Sequence, residues 1–182
     1  MAVPSLQLPL STRAIDFVLP GVDGKNYSLD DFAEAKGLVV VFTCNHCPYA
    51  KAAWPLLIKL ADEFRARGIV FMAINPNDER QYPEDSFEVM KQKVIEWGIN
   101  FPYLRDQSQG IARAYQAQCT PDIYVFNFKR ELYYHGRIND NWQEPEKVKK
   151  EELREALDRL LAGKEPPKDQ HPSLGCSIKW MQ

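Results

Sequence analysis

The chain has no apolar run approaching the ~18–20 residues that a membrane-spanning helix needs. Met1 to Leu10 shows no basic start followed by a long apolar core, so no secretory leader is expected. An excess of one charge is missing too. Lys and Arg total 23 against 25 Asp and Glu, a formal net charge of −2, which argues against nucleic acid or an acidic membrane surface as the main partner. Cysteine is scarce, with four in 182 residues. Two of the four share one C-x-x-C, which argues against a disulfide-stapled secreted scaffold. There is no internal repeat and no low-complexity block. What remains is a globular protein expected in the cytoplasm, where a dithiol is kept reduced or cycles. Its length allows one well-cored domain, expected over residues 1–163, with a tail over 164–182.

Residues 1–13 read as an irregular lead-in. Ala14 to Pro20 and Asn26 to Leu29 read as two strands of a hairpin around the turn Gly21-Val22-Asp23-Gly24-Lys25. Ser28 suits the cap of a short helix over Leu29–Ala35, closed by Gly37. Leu38-Val39-Val40-Val41-Phe42 carries no charge, as expected for a central strand covered on both faces. A helix then runs from Cys44–Pro48 to about Arg67, its buried stripe supplied by Leu56, Leu57, Leu60, Ala61 and Phe64. Pro48 fits its first turn, whereas Pro55 lies inside and predicts a kink. Ile69 to Ile74 is a second buried strand, which implies a parallel βαβ crossover.

The polar connection from Asn75 to Pro83 leaves the C-terminal edge of the sheet. Helices are expected over Ser86–Trp97, Gln109–Ala117 and Glu146–Leu161, and a short extended piece over Phe101–Leu104. Asp122 to Phe126 and Glu131 to Arg137 read as a hairpin. The expected class is therefore α/β, with a central mixed β-sheet, helices on both faces, an N-terminal β-hairpin and a C-terminal tail.

The chemistry centres on Thr43-Cys44-Asn45-His46-Cys47-Pro48, where a buried strand meets a helix start. Backbone N–H groups and the positive helix end favour a thiolate at that position. A C-x-x-C in a strand–helix context reads as a redox motif of the thioredoxin type. Thiol–disulfide exchange needs a thiolate attacker and a second thiol that releases the mixed disulfide. Cys44 precedes the helix and is expected to be the more exposed, so it is assigned the attack and Cys47 the resolution. A charged His46 beside Cys44 would favour the thiolate and move the pair toward the oxidising side. The bland alternative is two buried thiols and a surface histidine.

This order of elements, with Cys44-Asn45-His46-Cys47 after a buried strand and Thr120-Pro121 before a later one, resembles the thioredoxin fold. More narrowly it resembles the redoxin branch, with its AhpC/TSA-related peroxiredoxin-like and TlpA/ResA-like proteins. Tyr134-His135-Gly136-Arg137-Ile138 and the ending Gly175-Cys176-Ser177-Ile178-Lys179-Trp180 carry the likeness to the peroxiredoxin-like group. The resemblance implies a thiol–disulfide oxidoreductase acting on a disulfide-bearing protein or small thiol substrate, with a reducing partner and no organic cofactor. It also implies a cis peptide bond before Pro121, with Thr120 and Pro121 shaping the substrate groove. An ordinary trans proline is the alternative.

Peroxide reduction competes with that reading, but the peroxiredoxin pattern P-x-x-x-T-x-x-C fits poorly. If Cys47 were peroxidatic, Cys44 and Val40 would stand at the threonine and proline positions. If Cys44 were, Val41 and Gly37 would, and no arginine stands near Thr120-Pro121. Copper or zinc binding through Cys44, Cys47 and His46 is a further alternative, and it would require a remote ligand such as His135. Cys119 reads as a small buried residue or a third redox thiol. Cys176 reads either as part of a docking tail or as a resolving thiol folded back over the site. His135 and Arg137 read as exposed strand positions, and Trp54, Trp97 and the tyrosines as core or half-buried aromatics.

Overall fold

A computed structural model describes residues 1–182. Its first strands are β1 (Ala2–Pro4), β2 (Val18–Pro20), β3 (Asn26–Ser28) and β4 (Gly37–Phe42). Then follow α1 (Pro48–Arg65), β5 (Ile69–Asn75), α2 (Phe87–Trp97), β6 (Tyr103–Arg105) and α3 (Gly110–Ala114). The chain closes with β7 (Cys119–Thr120), β8 (Asp122–Asn127), β9 (Leu132–His135), α4 (Glu152–Leu161) and β10 (Leu174–Ser177). The main sheet has the order β6-β5-β4-β8-β9, with β4, β5 and β6 parallel and β8 and β9 antiparallel.

All six residues of β4 are buried, as its uncharged sequence demands. Successive side chains on a strand point to opposite faces, so β4 feeds two cores. Val39 and Val41 pack with Leu57, Leu60 and Phe64 of α1 and with Leu153 and Leu157 of α4. Leu38, Val40 and Phe42 meet Phe17, Met72, Ile74, Tyr115, Tyr124 and Phe126 on the other face. Each fully buried side chain of this kind contributes about 1.5–3 kcal/mol of transfer free energy. The strand is thereby clamped on both faces, and so is its C-terminal end, where the dithiol begins. No helix is long and apolar enough to cross a membrane.

Several boundaries differ from the sequence reading. The segment after Ser28 is one 3-10 turn, Leu29–Phe32, rather than a helix to Ala35. Gly37 opens β4 instead of closing that turn. Helix α1 begins at Pro48 and runs through Pro55 to Arg65, and α3 is shorter than expected at five residues. Helix α4 starts at Glu152, not Glu146, because the Asp140 side chain accepts from Lys149 N and Asp140 N donates to Lys150 O. Those bonds hold residues 149–150 against the preceding loop and delay the helix. Helix α2 keeps its expected ends, with Ser86 Oγ accepting from Val89 N and Gly98 left-handed at φ 66°.

The largest difference lies at the two ends of the chain. Residues 1–13 contribute β1, and β10 inserts between β1 and β7 in a three-stranded antiparallel sheet. Cys176 stands opposite Thr120 on one side and Ala2 on the other. Gly175 is required by this fit: a Cβ there would meet Thr120 O at 2.2 Å and Thr120 C at 2.6 Å. Both are backbone atoms, so no side chain can move aside. Gly175→Ala is expected to unseat β10 at a cost of about 1–3 kcal/mol in denaturant melts. Faster amide exchange at Ile178, whose N–H bonds Gln118 O, should accompany the loss. Wild-type stability and exchange in this variant would refute so close a fit.

Candidate active site

The dithiol loop leaves β4 through Thr43, whose N–H bonds Ile74 O on the parallel neighbour. Trp54 Nε1, one helical face above, donates to Cys44 O at 3.2 Å. Asn45 fastens the middle of the loop. Its N–H donates to Asp85 Oδ1 at 2.6 Å, its side-chain amide donates to Glu84 O, and its Oδ1 accepts from Tyr103 OH at 2.8 Å. Asn75 Nδ2 in turn donates to the Tyr103 hydroxyl at 3.2 Å. Residues 43–47 are thus tied to the floor formed by β5, β6 and the turn Pro83–Asp85.

Asp85 is the member of this floor that sequence reasoning missed. It is fully buried, and its carboxylate also accepts from Asn77 Nδ2 at 2.7 Å. His46 Nδ1 lies 2.5 Å from Asp85 Oδ2, and the imidazole stacks on Tyr82 at 5.1 Å between centroids. The histidine expected to face the thiol alone therefore has a carboxylate partner. Its placement on the polar connection after a parallel strand was the available signal, since that connection runs along the sheet edge where the dithiol sits.

Cys44 and Cys47 are both 0% exposed, so the expected greater exposure of Cys44 is not found. Cys44 Sγ is 3.2 Å from Thr120 Oγ1, and Cys47 Sγ lies 3.4 Å from Thr120 O, to which it donates only while it carries its proton. Burial pushes the Cys44 thiol well above its ordinary range, with hydrogen bonding to Cys47 and the Asp85 charge adding to it. The Cys47 thiol is lowered to about 4. A hydrogen bond from Cys44 is the main cause, followed, against the opposing effect of burial, by one from Cys176 and by the Ala50 backbone N–H. Cys47 is the N-cap residue of α1, a position where a helix start stabilises negative charge. Of the two thiols, Cys47 is the one that stands at the helix start, where negative charge is favoured.

Cys176 packs beside Cys44, Cys47 and Ala50 and is partly exposed. Burial, then the bond to Cys47, pushes its thiol up to about 11. Cys119 is fully buried; burial raises its thiol, and Sγ donates to Pro121 O at 3.5 Å. The Thr120–Pro121 peptide is cis. His135 is not the exposed position expected. It is buried with Nε2 2.8 Å from Asp122 Oδ1, and its Nδ1 accepts from Leu8 N. Arg137 is half-buried and grips Glu152 with both Nε and Nη2.

A cavity of about 140 Å³ adjoins this site, bounded by Tyr49, Pro121, Ile138, Trp142 and Leu174. A metal would have to use Cys44, His46 and Asp85, whose ligand atoms lie within 4.8 Å of one another. Both Asp85 oxygens and His46 Nδ1 are already committed to hydrogen bonds. The arrangement instead suits sulfur chemistry: two buried thiols and a third at their edge, around one stabilised thiolate.

A mixed sheet of this order, with a dithiol at the start of its first long helix, defines a thioredoxin-fold protein. A thiol:disulfide interchange protein of the thioredoxin family from Chlorobium tepidum superposes with a TM-score of 0.64 at 18% identity, over 86% of this chain and 99% of that one. The AhpC/TSA family model matches residues 10–135, and the chain belongs to that family. A conserved protein from Geobacillus kaustophilus shares 44% identity at a TM-score of 0.95, covering 100% of this chain and 97% of that one. The thiol-disulfide oxidoreductase ResA of Halalkalibacterium halodurans is 26% identical over 121 residues. That match covers 66% of this chain and 64% of the relative, so the chain spans less than two thirds of its length.

One thiolate is expected in the reduced protein across the range from roughly pH 5 to pH 8. Ultraviolet thiolate absorbance should disappear only as the pH falls through about 4, and Cys47→Ser should abolish the acid-side titration. Absorbance that appears only near the ordinary thiol value of 9.0 would show that the three sulfurs do not share the charge this way.

Proposed function

We propose that the protein is a thiol–disulfide oxidoreductase that stores two electrons in the Cys44–Cys47 pair. The observation that carries the reading is a thiolate-stabilising helix start placed against a second thiol. A thiolate is the competent nucleophile and, with its lowered affinity for protons, the better leaving group. Cys47 is therefore the sulfur through which exchange passes, and Cys44 closes the stored disulfide. Position in the motif alone assigns the attack to Cys44 and the resolution to Cys47; the place of Cys47 at the helix start favours the opposite order. Thr120 contacts both sulfurs, and Pro121 borders the adjoining cavity, where the body of a substrate fits. Support comes from the family and from the activity named for the ResA relatives.

His46 tunes the pair through Asp85. With the imidazole removed, an uncompensated carboxylate faces Cys44, the reduced state is less favoured and the pair becomes more reducing. The substrate class is a disulfide-bearing protein or small thiol, and a reducing partner returns the electrons. We assign the cytoplasm as its location on the sequence's lack of stapling cysteine pairs, which cell fractionation tests.

Equilibration in dithiol/disulfide buffers, read by alkylation and mass, should show one two-electron transition. Cys44→Ser and Cys47→Ser should each lose that Cys44–Cys47 transition. His46→Ala should lower the potential by roughly 30 mV, a tenfold change in equilibrium constant. An unchanged or raised potential in His46→Ala would remove its tuning role. Fast peroxide consumption by a protein that fails to form the Cys44–Cys47 link would replace the whole reading with a peroxidase.

A further inference from the structure

The dithiol has no exposed surface of its own. Cys44 and Cys47 are both 0% exposed, and the strand that covers them is β10. Its Cys176 packs against the cluster of Cys44, Cys47 and Ala50 and is the one partly exposed thiol of the four. The cover is firmly fixed. Gly175 sits flush on the Thr120–Pro121 backbone, Ile178 N bonds Gln118 O, and Lys179 N bonds Asn77 Oδ1. Lys179 O accepts from Asp78 N and Gln109 Nε2, while Trp180 lies under the Arg113 guanidinium at 4.3 Å. A substrate strand therefore finds the Thr120 edge already paired. Cys176 on β10 is the sulfur of this cluster that reaches solvent.

We propose that Cys176 is a relay thiol, passing electrons between external thiols or disulfides and the buried Cys44–Cys47 pair. This rests on the reading of that pair as the redox store. In the oxidised protein, the Cys176 thiolate attacks Cys47 Sγ. The Cys44–Cys47 bond breaks, a Cys47–Cys176 disulfide forms, and the released Cys44 sulfur takes up the proton that Cys176 gave. An external thiolate then attacks the partly exposed Cys176 sulfur and expels Cys47 as a thiolate. A second external thiol attacks the outer sulfur of that mixed disulfide, which frees Cys176 and leaves an external disulfide. Two external thiols are oxidised and one protein disulfide is reduced; the reverse order delivers electrons to a small disulfide. The lowered proton affinity of Cys47 makes it a good leaving group at the step that faces solvent.

The geometry also narrows the substrate. Leu174 and Cys176 are two apart on one strand and so point to one side, and Leu174 borders the cavity with Tyr49, Pro121 and Trp142. A small disulfide with an apolar or aromatic body fits there with its sulfur at Cys176. An extended polypeptide would have to displace β10.

Two measurements on the full chain test the relay. Oxidised with a small aromatic disulfide, Cys44→Ser is expected to give an intramolecular Cys47–Cys176 link on peptide mass mapping. Only mixed adducts or interchain dimers would overturn the proposal. Reduction of the wild-type Cys44–Cys47 disulfide by a small monothiol should slow by about tenfold or more in Cys176→Ser. The equilibrium potential of each variant is measured alongside, because Cys176 also helps to lower the Cys47 thiol, and the rate should slow by more than any shift in potential accounts for. Cys176→Ala should slow equally, with thermal melts confirming that both variants fold. Equal rates in wild type and variants would show direct access to Cys47 and end the relay, although the pair would still titrate. Failure of the pair to titrate at all would refute the dithiol store instead, and the Cys44→Ser link would still decide whether Cys176 reacts with Cys47.

Discussion

One negative charge divided among three sulfurs is the interaction on which the site depends. Cys47 stands at the start of α1, with Cys44 and Cys176 packed around it. Neither neighbour can give up its proton as well, because a second charge in so small a buried space would be repelled. Burial is the first cause of the raised thiols at Cys44 and Cys176, and their bonding to Cys47 adds to it. Thr120 holds the group together: its side chain meets Cys44, its carbonyl meets Cys47, and its strand pairs with Cys176.

A second buried charge lies beneath the first. The Asp85 carboxylate is removed from water, and such a group is tolerable only when its oxygens are fully hydrogen-bonded. The Asn45 backbone, the Asn77 amide and His46 supply those bonds. The outcome is rigidity where exchange chemistry needs it, since the dithiol loop has no freedom to drift from α1. It also explains why an imidazole sits inside a C-x-x-C. Here it answers a carboxylate.

The parts of the fold visible in the sequence were those governed by near neighbours. The uncharged run at Leu38–Phe42, the Ser86 cap with Gly98 at the far end, and the hairpin of β8 and β9 each follow from residues close together. The motif at Cys44–Cys47 announced itself for the same reason. The pairing of Ala2 with Cys176 joins the two ends of the chain, and no local pattern encodes such a contact. Helix α4 kept a periodic pattern from Glu146, but a loop bond from Asp140 overrode it. His135 looked like a solvent position because strand alternation predicts a facing side and not what covers it. Asp122 and the N-terminal segment cover it.

Trp54 offers a consequence of a different kind. Its indole is buried, donates to the carbonyl of Cys44 and packs within 5.9 Å of Trp97. Any rearrangement of the loop when sulfur joins sulfur must pass through that bond. The chain thus contains an optical gauge of its own oxidation state, set one bond from Cys44 and needing no attached dye. Trp142 packs at a tilt against Tyr49, with ring centroids 4.1 Å apart, at the rim of the cavity, so it would respond to what enters there. Of the four tryptophans, one thus adjoins the dithiol loop and another the cavity.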